Sequence, residues 1–121
     1  PRRQGQEGRR MTVTTAEFLR AQASAMTERD LLEQCRAAAK TLGLLCYHTH
    51  DSRRSEPGFP DLVIVGRGGV LIRELKRQRG KVTVAQTVWL DALEHAGADA
   101  GVWRPADLLD GTILSQMRAV R

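Results

Sequence analysis

At 121 residues, the chain has room for one hydrophobic core and not two. Its 41% hydrophobic and 27% charged residues suit an ordinary globular domain, and no run approaches the roughly 18 apolar residues of a membrane span or reads as a secretory segment. The net charge of +5 points to an anionic partner, although Arg2, Arg3, Arg9 and Arg10 against Glu7 supply more than half of it.

In chain order, residues 1–10 read as a tag or disordered tail, because Met11 looks like a natural start. Residues 11–26 are a leading segment able to form a short helix, with Thr14 and Glu17 at capping-box spacing. A better-marked helix follows Thr27, a good N-cap. Leu31, Leu32, Cys35, Ala38, Ala39 and Leu42 form its apolar stripe, and Gly43 supplies its stop. Leu44–Thr49 reads as a strand. Asp51–Pro60 is polar and carries Pro57, Gly58 and Pro60, so it is a loop.

Two β-rich runs come next, Leu62–Val65 and Val70–Ile72, with the turn signal Gly66-Arg67-Gly68-Gly69 between them. Gln78–Lys81 then turns the chain into a helix from Thr83 to Ala96. Thr83 and Gln86 match a capping box, Ala85, Val88, Trp89, Ala92, Leu93 and Ala96 form the stripe, and Gly97 ends it. Ala100–Arg104 is a fourth strand stopped by Pro105, and Ala106–Met117 a helix bent near Gly111. The order α-β-β-β-α-β-α predicts an α/β fold, a mixed sheet flanked by helices. Cys35 and Cys46 lack zinc spacing and further partners, which favours reduced buried thiols over a disulfide.

The hairpin carries the chemistry. With a four-residue loop, Val65 faces Val70, Val63 faces Ile72, and Asp61 faces Glu74, with Cβ atoms roughly 4.5–5.5 Å apart. Alternation puts Lys76 on the same face. Two opposed carboxylates repel unless a cation sits between them, so the pattern outlines a metal site. Arg73, Lys76, Arg77, Arg79 and Lys81 against Glu74, with Arg53 and Arg54 before Pro60, place positive charge where a polyanion would approach. At about 100° per residue, Glu28 falls within the apolar stripe of its helix. It is either a first-turn glutamate favoured by the helix dipole or a third acid leaning over the site. His48 and His50 lie two apart and share a strand face. Lacking further ligands at zinc spacing, they suit contacts to nucleic-acid phosphate with Arg53 and Arg54. Trp89, on the helix stripe, reads as core rather than as a base-stacking platform.

Gly58-Phe59-Pro60-Asp61, Glu74-Leu75-Lys76 and Gln86 together resemble the PD-(D/E)xK nuclease superfamily. Within it they most resemble the VRR-NUC family, particularly its small stand-alone phage and bacterial members. The stretch from Tyr47 to Arg54 leading into Gly58 is similar to those members, as is the Gln86…Trp89-Leu90 helix followed by Val102-Trp103-Arg104-Pro105. The likeness covers roughly residues 27–110. A bare PD…ExK motif arises by chance; its strand placement, the glutamine and the flanks make it specific.

The resemblance implies a restriction-endonuclease-like nuclease domain over residues 27–121. It implies Asp61, Glu74 and the backbone carbonyl of Leu75 as ligands of Mg²⁺, replaceable by Mn²⁺, with Glu28 as a further acid. Lys76 would orient the attacking water or stabilise charge at phosphorus, and Gln86 matches the family glutamine while its capping position gives it a competing role. His48, His50, Arg53, Arg54, Arg77, Arg79 and Lys81 would contact DNA. The activity implied is that of a metal-dependent DNA endonuclease in the cytoplasm of a bacterial host or phage-infected cell. The minimal fold uses almost the whole chain and leaves no module for base readout. Branched DNA, such as four-way junctions or flaps, is therefore the expected substrate, with a homodimer to cut paired strands. The rival is a non-catalytic DNA-binding module of the same fold, against which intact Asp61, Glu74 and Lys76 weigh.

Overall fold

The computed structural model describes residues 12–49 and 56–121. Its first two helices, α1 (Thr15–Ala25) and α2 (Glu28–Thr41), both begin with a reciprocal cap. The Thr14 hydroxyl accepts from the Glu17 amide at 3.1 Å, and the Glu17 carboxylate accepts from the Thr14 amide at 3.3 Å. Thr27 and Asp30 repeat the arrangement at 3.0 Å in each direction. Each cap satisfies amides that the first helical turn leaves unpaired and contributes about 1 kcal/mol. The predicted leading helix is thus a real element.

Strands β1 (Leu45–His48), β2 (Leu62–Gly66), β3 (Gly69–Leu75) and β4 (Asp99–Trp103) form one sheet in the order β1-β2-β3-β4. The first three are antiparallel, and β4 joins parallel to β3 after the crossover helix α3 (Val84–His95). Helices α4 (Pro105–Leu109) and α5 (Thr112–Ala119) follow; the predicted final helix breaks at Asp110-Gly111. The α/β class and mixed sheet are those predicted.

The β2–β3 register is also as predicted, with Val63 opposite Ile72 and Val65 opposite Val70. The ladder runs one pair further, however. Gly66 pairs with Gly69, leaving the two-residue turn Arg67-Gly68 where four residues were expected. Two-residue turns match the twist of antiparallel strands, and glycines at both ends let the ladder close that tightly.

One sheet face is the core. Leu62, Ile64, Leu71, Leu75 and Trp103 meet Leu31, Cys35 and Ala39 of α2 and Ile113 and Met117 of α5, all of them buried. A fully buried aliphatic side chain contributes roughly 1.5–3 kcal/mol, so this single layer carries most of the fold's apolar stabilisation. Cys35 lies inside it and both cysteines are free. Burial pushes the Cys35 thiol up to about 12.

Arg73 corrects a sequence expectation. The sequence places it in the basic patch, yet alternation turns it to the core face, where it is 5% exposed. Its guanidinium donates to the Asp99 carboxylate at 2.7 Å, the Asp99 carbonyl at 2.6 Å and the Gln116 amide oxygen at 3.0 Å, and lies 5.2 Å from the Trp103 ring centre. It ties β3 to β4 and α5, and is structural.

The stripe predicted for α3 is also rotated. Leu90 is buried and Gln86, Trp89 and Leu93 are half-buried, while Ala85, Val88 and Ala92 are exposed. The helix packs chiefly on the edge strand β4, so a narrow face suffices. Among the described residues, no helix is long and apolar enough to cross a membrane.

Candidate active site

The second sheet face starts apolar at the hairpin and ends charged. Leu45, Tyr47, Val65 and Val70 lie on it, exposed; Asp61, Glu74 and Lys76 follow at its other end. Asp61 directly precedes β2. Its backbone carbonyl accepts from the Thr49 amide at 2.9 Å, extending the β1–β2 ladder, and its Oδ2 accepts from the Leu75 amide at 2.8 Å. The aspartate is therefore fastened to both neighbouring strands. Thr49 opposes it and donates its hydroxyl to the Pro60 carbonyl at 3.0 Å. Thr49 is an addition to the predicted site, and the alternation Tyr47, Thr49 along β1 is the signal that places it there.

The loop that delivers Asp61 is held from outside the sheet. Gly58 has φ +89°, and a Cβ there would run into the Ala85 backbone at the start of α3. One residue on, Phe59 packs edge-to-face on Trp89 with ring centres 5.1 Å apart. Pro60 is buried. The Gly-Phe-Pro-Asp run thus positions a carboxylate by close packing against α3, and Trp89 serves that packing.

Glu74 continues the β2–β3 register opposite Asp61 and pairs with Val102 on its other side. It is 2% exposed, and its Oε2 is buried without a hydrogen-bond partner among the described residues. Burial pushes its pKa up to about 9; the Asp61 carboxylate beside it and the Glu28 charge push the same way, and Lys76 pulls against them. Alone, this pair holds a proton at neutral pH. Lys76 is 9% exposed and its backbone amide donates to the Trp103 carbonyl at 3.1 Å. A buried glutamate with an oxygen unpartnered among the described residues, beside a half-buried aspartate and a buried lysine, fits a hard divalent cation, which Asp61, Glu74 and the Leu75 carbonyl expected from the sequence would hold.

The remaining predicted residues divide. Glu28 is exposed as the first residue of α2, because the buried stripe begins only at Leu31. Its charge reaches Glu74, but among the described residues no group of three or more His, Cys, Asp or Glu side chains could hold a metal. Gln86 caps α3, its Oε1 accepting from the Thr83 amide at 2.9 Å. His48 pairs with Leu62 and so lies on the face opposite Asp61, half-buried. Arg77, Arg79 and Lys81 are exposed on the turn after Lys76. His50, Arg53 and Arg54 lie outside the described residues, as does the segment 1–10.

Arg104, just beyond β4, holds the basic turn by its backbone. Its Nη1 donates to the carbonyls of Arg77 at 2.8 Å and Gly80 at 2.7 Å, while Gln78 Oε1 accepts from the Ala106 amide at 2.9 Å. The basic turn is thereby clamped to the end of β4.

With this geometry in place, comparison with known proteins identifies the lineage. The VRR-NUC domain model matches residues 2–107. The chain belongs to the VRR-NUC family. That family is a PD-(D/E)xK nuclease family, so the paired acids and lysine at the strand ends sit in a nuclease scaffold. A solved structure described as a VRR_NUC domain is 23% identical and superposes with a TM-score of 0.59, covering 74% of this chain and 97% of the other. At that identity it supports the VRR-NUC fold alone. No curated protein sequence matches the chain.

Proposed function

We propose that this VRR-NUC chain is a divalent-metal-dependent DNA endonuclease, with Asp61, Glu74 and Lys76 as its catalytic centre. The observation that carries the reading is the buried Glu74 carboxylate, an acid beside Asp61 and Lys76 with an oxygen that has no partner among the described residues. Mg²⁺, or Mn²⁺ in its place, would lower the pKa of water and neutralise charge on the phosphoryl oxygens. Asp61 and Glu74 supply the anionic oxygens, and the Leu75 amide keeps Asp61 in place by its 2.8 Å hydrogen bond. Lys76, shielded from solvent, orients the attacking water or stabilises the charge developing at phosphorus. Arg77, Arg79 and Lys81, with Arg53 and Arg54, hold the DNA backbone.

Phosphate contacts position DNA without reading its sequence, which favours branched substrates such as four-way junctions or flaps. Cutting paired strands at a junction needs two active sites, so the working form is a homodimer. The exposed apolar face of Leu45, Tyr47, Val65 and Val70 supports it, since a contiguous patch of this kind on an edge strand and its neighbours is a surface a second copy would cover.

The test is cleavage of a labelled panel (four-way junction, flap, nicked duplex, plain duplex and single strand) with Mg²⁺, with Mn²⁺ and with EDTA. Metal-dependent cutting should fall at least about 100-fold in Lys76→Ala and Asp61→Ala. Binding of branched DNA without cutting in either metal would instead identify a non-catalytic module. Light scattering on Leu45→Asp/Tyr47→Asp decides the oligomer: a dimer that becomes a monomer supports this interface, and an unchanged mass refutes it.

A further inference from the structure

Helix α1 contributes little to the core. Ala23 is its buried residue, while Phe18 and Leu19 stay exposed. It docks on α4 instead, and a groove of about 330 Å³ opens there, lined by Leu19, Ala23 and Leu109 and by the charged groups Arg20, Arg79 and Asp110. A second hollow of about 520 Å³ shares Ser24, Gln78 and Arg79 with it and reaches Arg77 and Gly80. Gly80 in turn abuts the candidate active site, for a Cβ placed on it would lie 3.6 Å from the Lys76 Cδ. The two hollows therefore adjoin through Ser24, Gln78 and Arg79, forming a trough with Gly80, the neighbour of Lys76, at one end and α1 at the other.

Its charge asks for an anion. Arg20 and Arg79 form no ion pair with any described carboxylate, and the Arg104 clamp holds the backbone from Arg77 to Gly80 so that the arginine side chains point outward, exposed. Asp110 is the acid in the lining. An apolar wall edged by unpaired arginines matches a sugar–phosphate strand, deoxyribose against the wall and phosphates on the guanidiniums.

We propose that this trough is a second DNA-backbone site, with Arg20 of α1 holding the phosphates of a strand running away from the scissile position. The proposal rests on the nuclease reading and gives the leading helix a task in substrate binding.

Fluorescence anisotropy of a long-armed four-way junction tests it, in a Lys76→Ala background so that no cutting intervenes. Arg20 is exposed, so Arg20→Glu should keep the fold, which a thermal melt checks. It should weaken binding about tenfold at low salt and reduce the slope of log K against log salt by about one. Asp110→Asn keeps the Oδ1 that accepts from the Thr112 amide at 2.9 Å, and should tighten binding two- to threefold (about 0.5 kcal/mol of removed repulsion). Arg118→Glu, exposed on α5, controls for bulk charge. The trough is refuted if Arg20→Glu binds like its parent or no more weakly than Arg118→Glu, or if Asp110→Asn fails to tighten. A parent that binds no DNA at all overturns the nuclease reading along with it.

Discussion

The Asp61–Glu74 pair makes the metal-free protein sensitive to alkali in a way that can be measured. Glu74 keeps its proton in the folded state up to about 9, against 4.5 for an ordinary glutamate, chiefly because it is buried. A group with a raised folded pKa binds its proton more tightly folded than unfolded. Its stabilisation is fully present below 4.5 and is lost as pH rises towards 9. The limiting slope is about 1.4 kcal/mol per pH unit, so raising pH from about 5.5 to 7.5 should cost up to about 3 kcal/mol. For a domain of this size that is roughly 10 °C in Tm. Melts in EDTA across this range should fall with pH, and saturating Mg²⁺ should flatten the profile, because a bound cation replaces the proton. Glu74→Gln removes the titration but keeps the histidines, so the difference between its profile and the wild type isolates the pair. A wild-type profile that parallels Glu74→Gln in EDTA would refute both the shift and the cation-site argument built on it.

Arg73→Met should cost about 2 kcal/mol, below the 3–5 kcal/mol of a stranded buried charge, because the Asp99 side chain is 61% exposed and water can replace its partner; urea titration measures it. Gly58→Ala, forced into the Ala85 backbone at φ +89°, should lose at least about 2 kcal/mol and reduce cleavage even below its melting temperature, because Asp61 moves with the loop. Gln86→Glu retains the oxygen that caps α3, so Tm should hold while cleavage falls about tenfold if the amide serves the reaction; equal activity would leave Gln86 a cap alone. Cys35, with its thiol pushed up to about 12, should resist iodoacetamide at pH 8 until denaturant is added, as mass spectrometry can show.

What the sequence made legible follows from which forces are local. The hairpin register was readable because alternation and a glycine-rich turn leave few ways to pair Val63, Val65, Val70 and Ile72. The caps at Thr14, Thr27 and Thr83 were readable because each links residues only three apart. What escaped depended on contacts distant in sequence. The fate of Arg73 is decided by Asp99 and Gln116, and that of Glu28 by where the buried stripe of α2 begins. The rotated face of α3 reflects a helix that touches mainly one edge strand, which no periodicity count can foresee.

Strand β3 shows why the site survives these costs. Arg73, Glu74 and Lys76 are buried within four residues, a concentration of charge that apolar packing alone would not tolerate. Alternation separates the problem into two. On the core face, Arg73 is satisfied by Asp99 and Gln116, and its hydrogen bonds fasten β4 beside β3. On the other face, Glu74 keeps an oxygen without a partner among the described residues. The satisfied arginine holds the strand on which the unsatisfied acid stands, so the rigidity of the candidate centre comes from the core side of the same strand. Loosening Arg73 should therefore reduce cleavage more than its stability cost alone predicts, which activity measured well below Tm in Arg73→Met can separate.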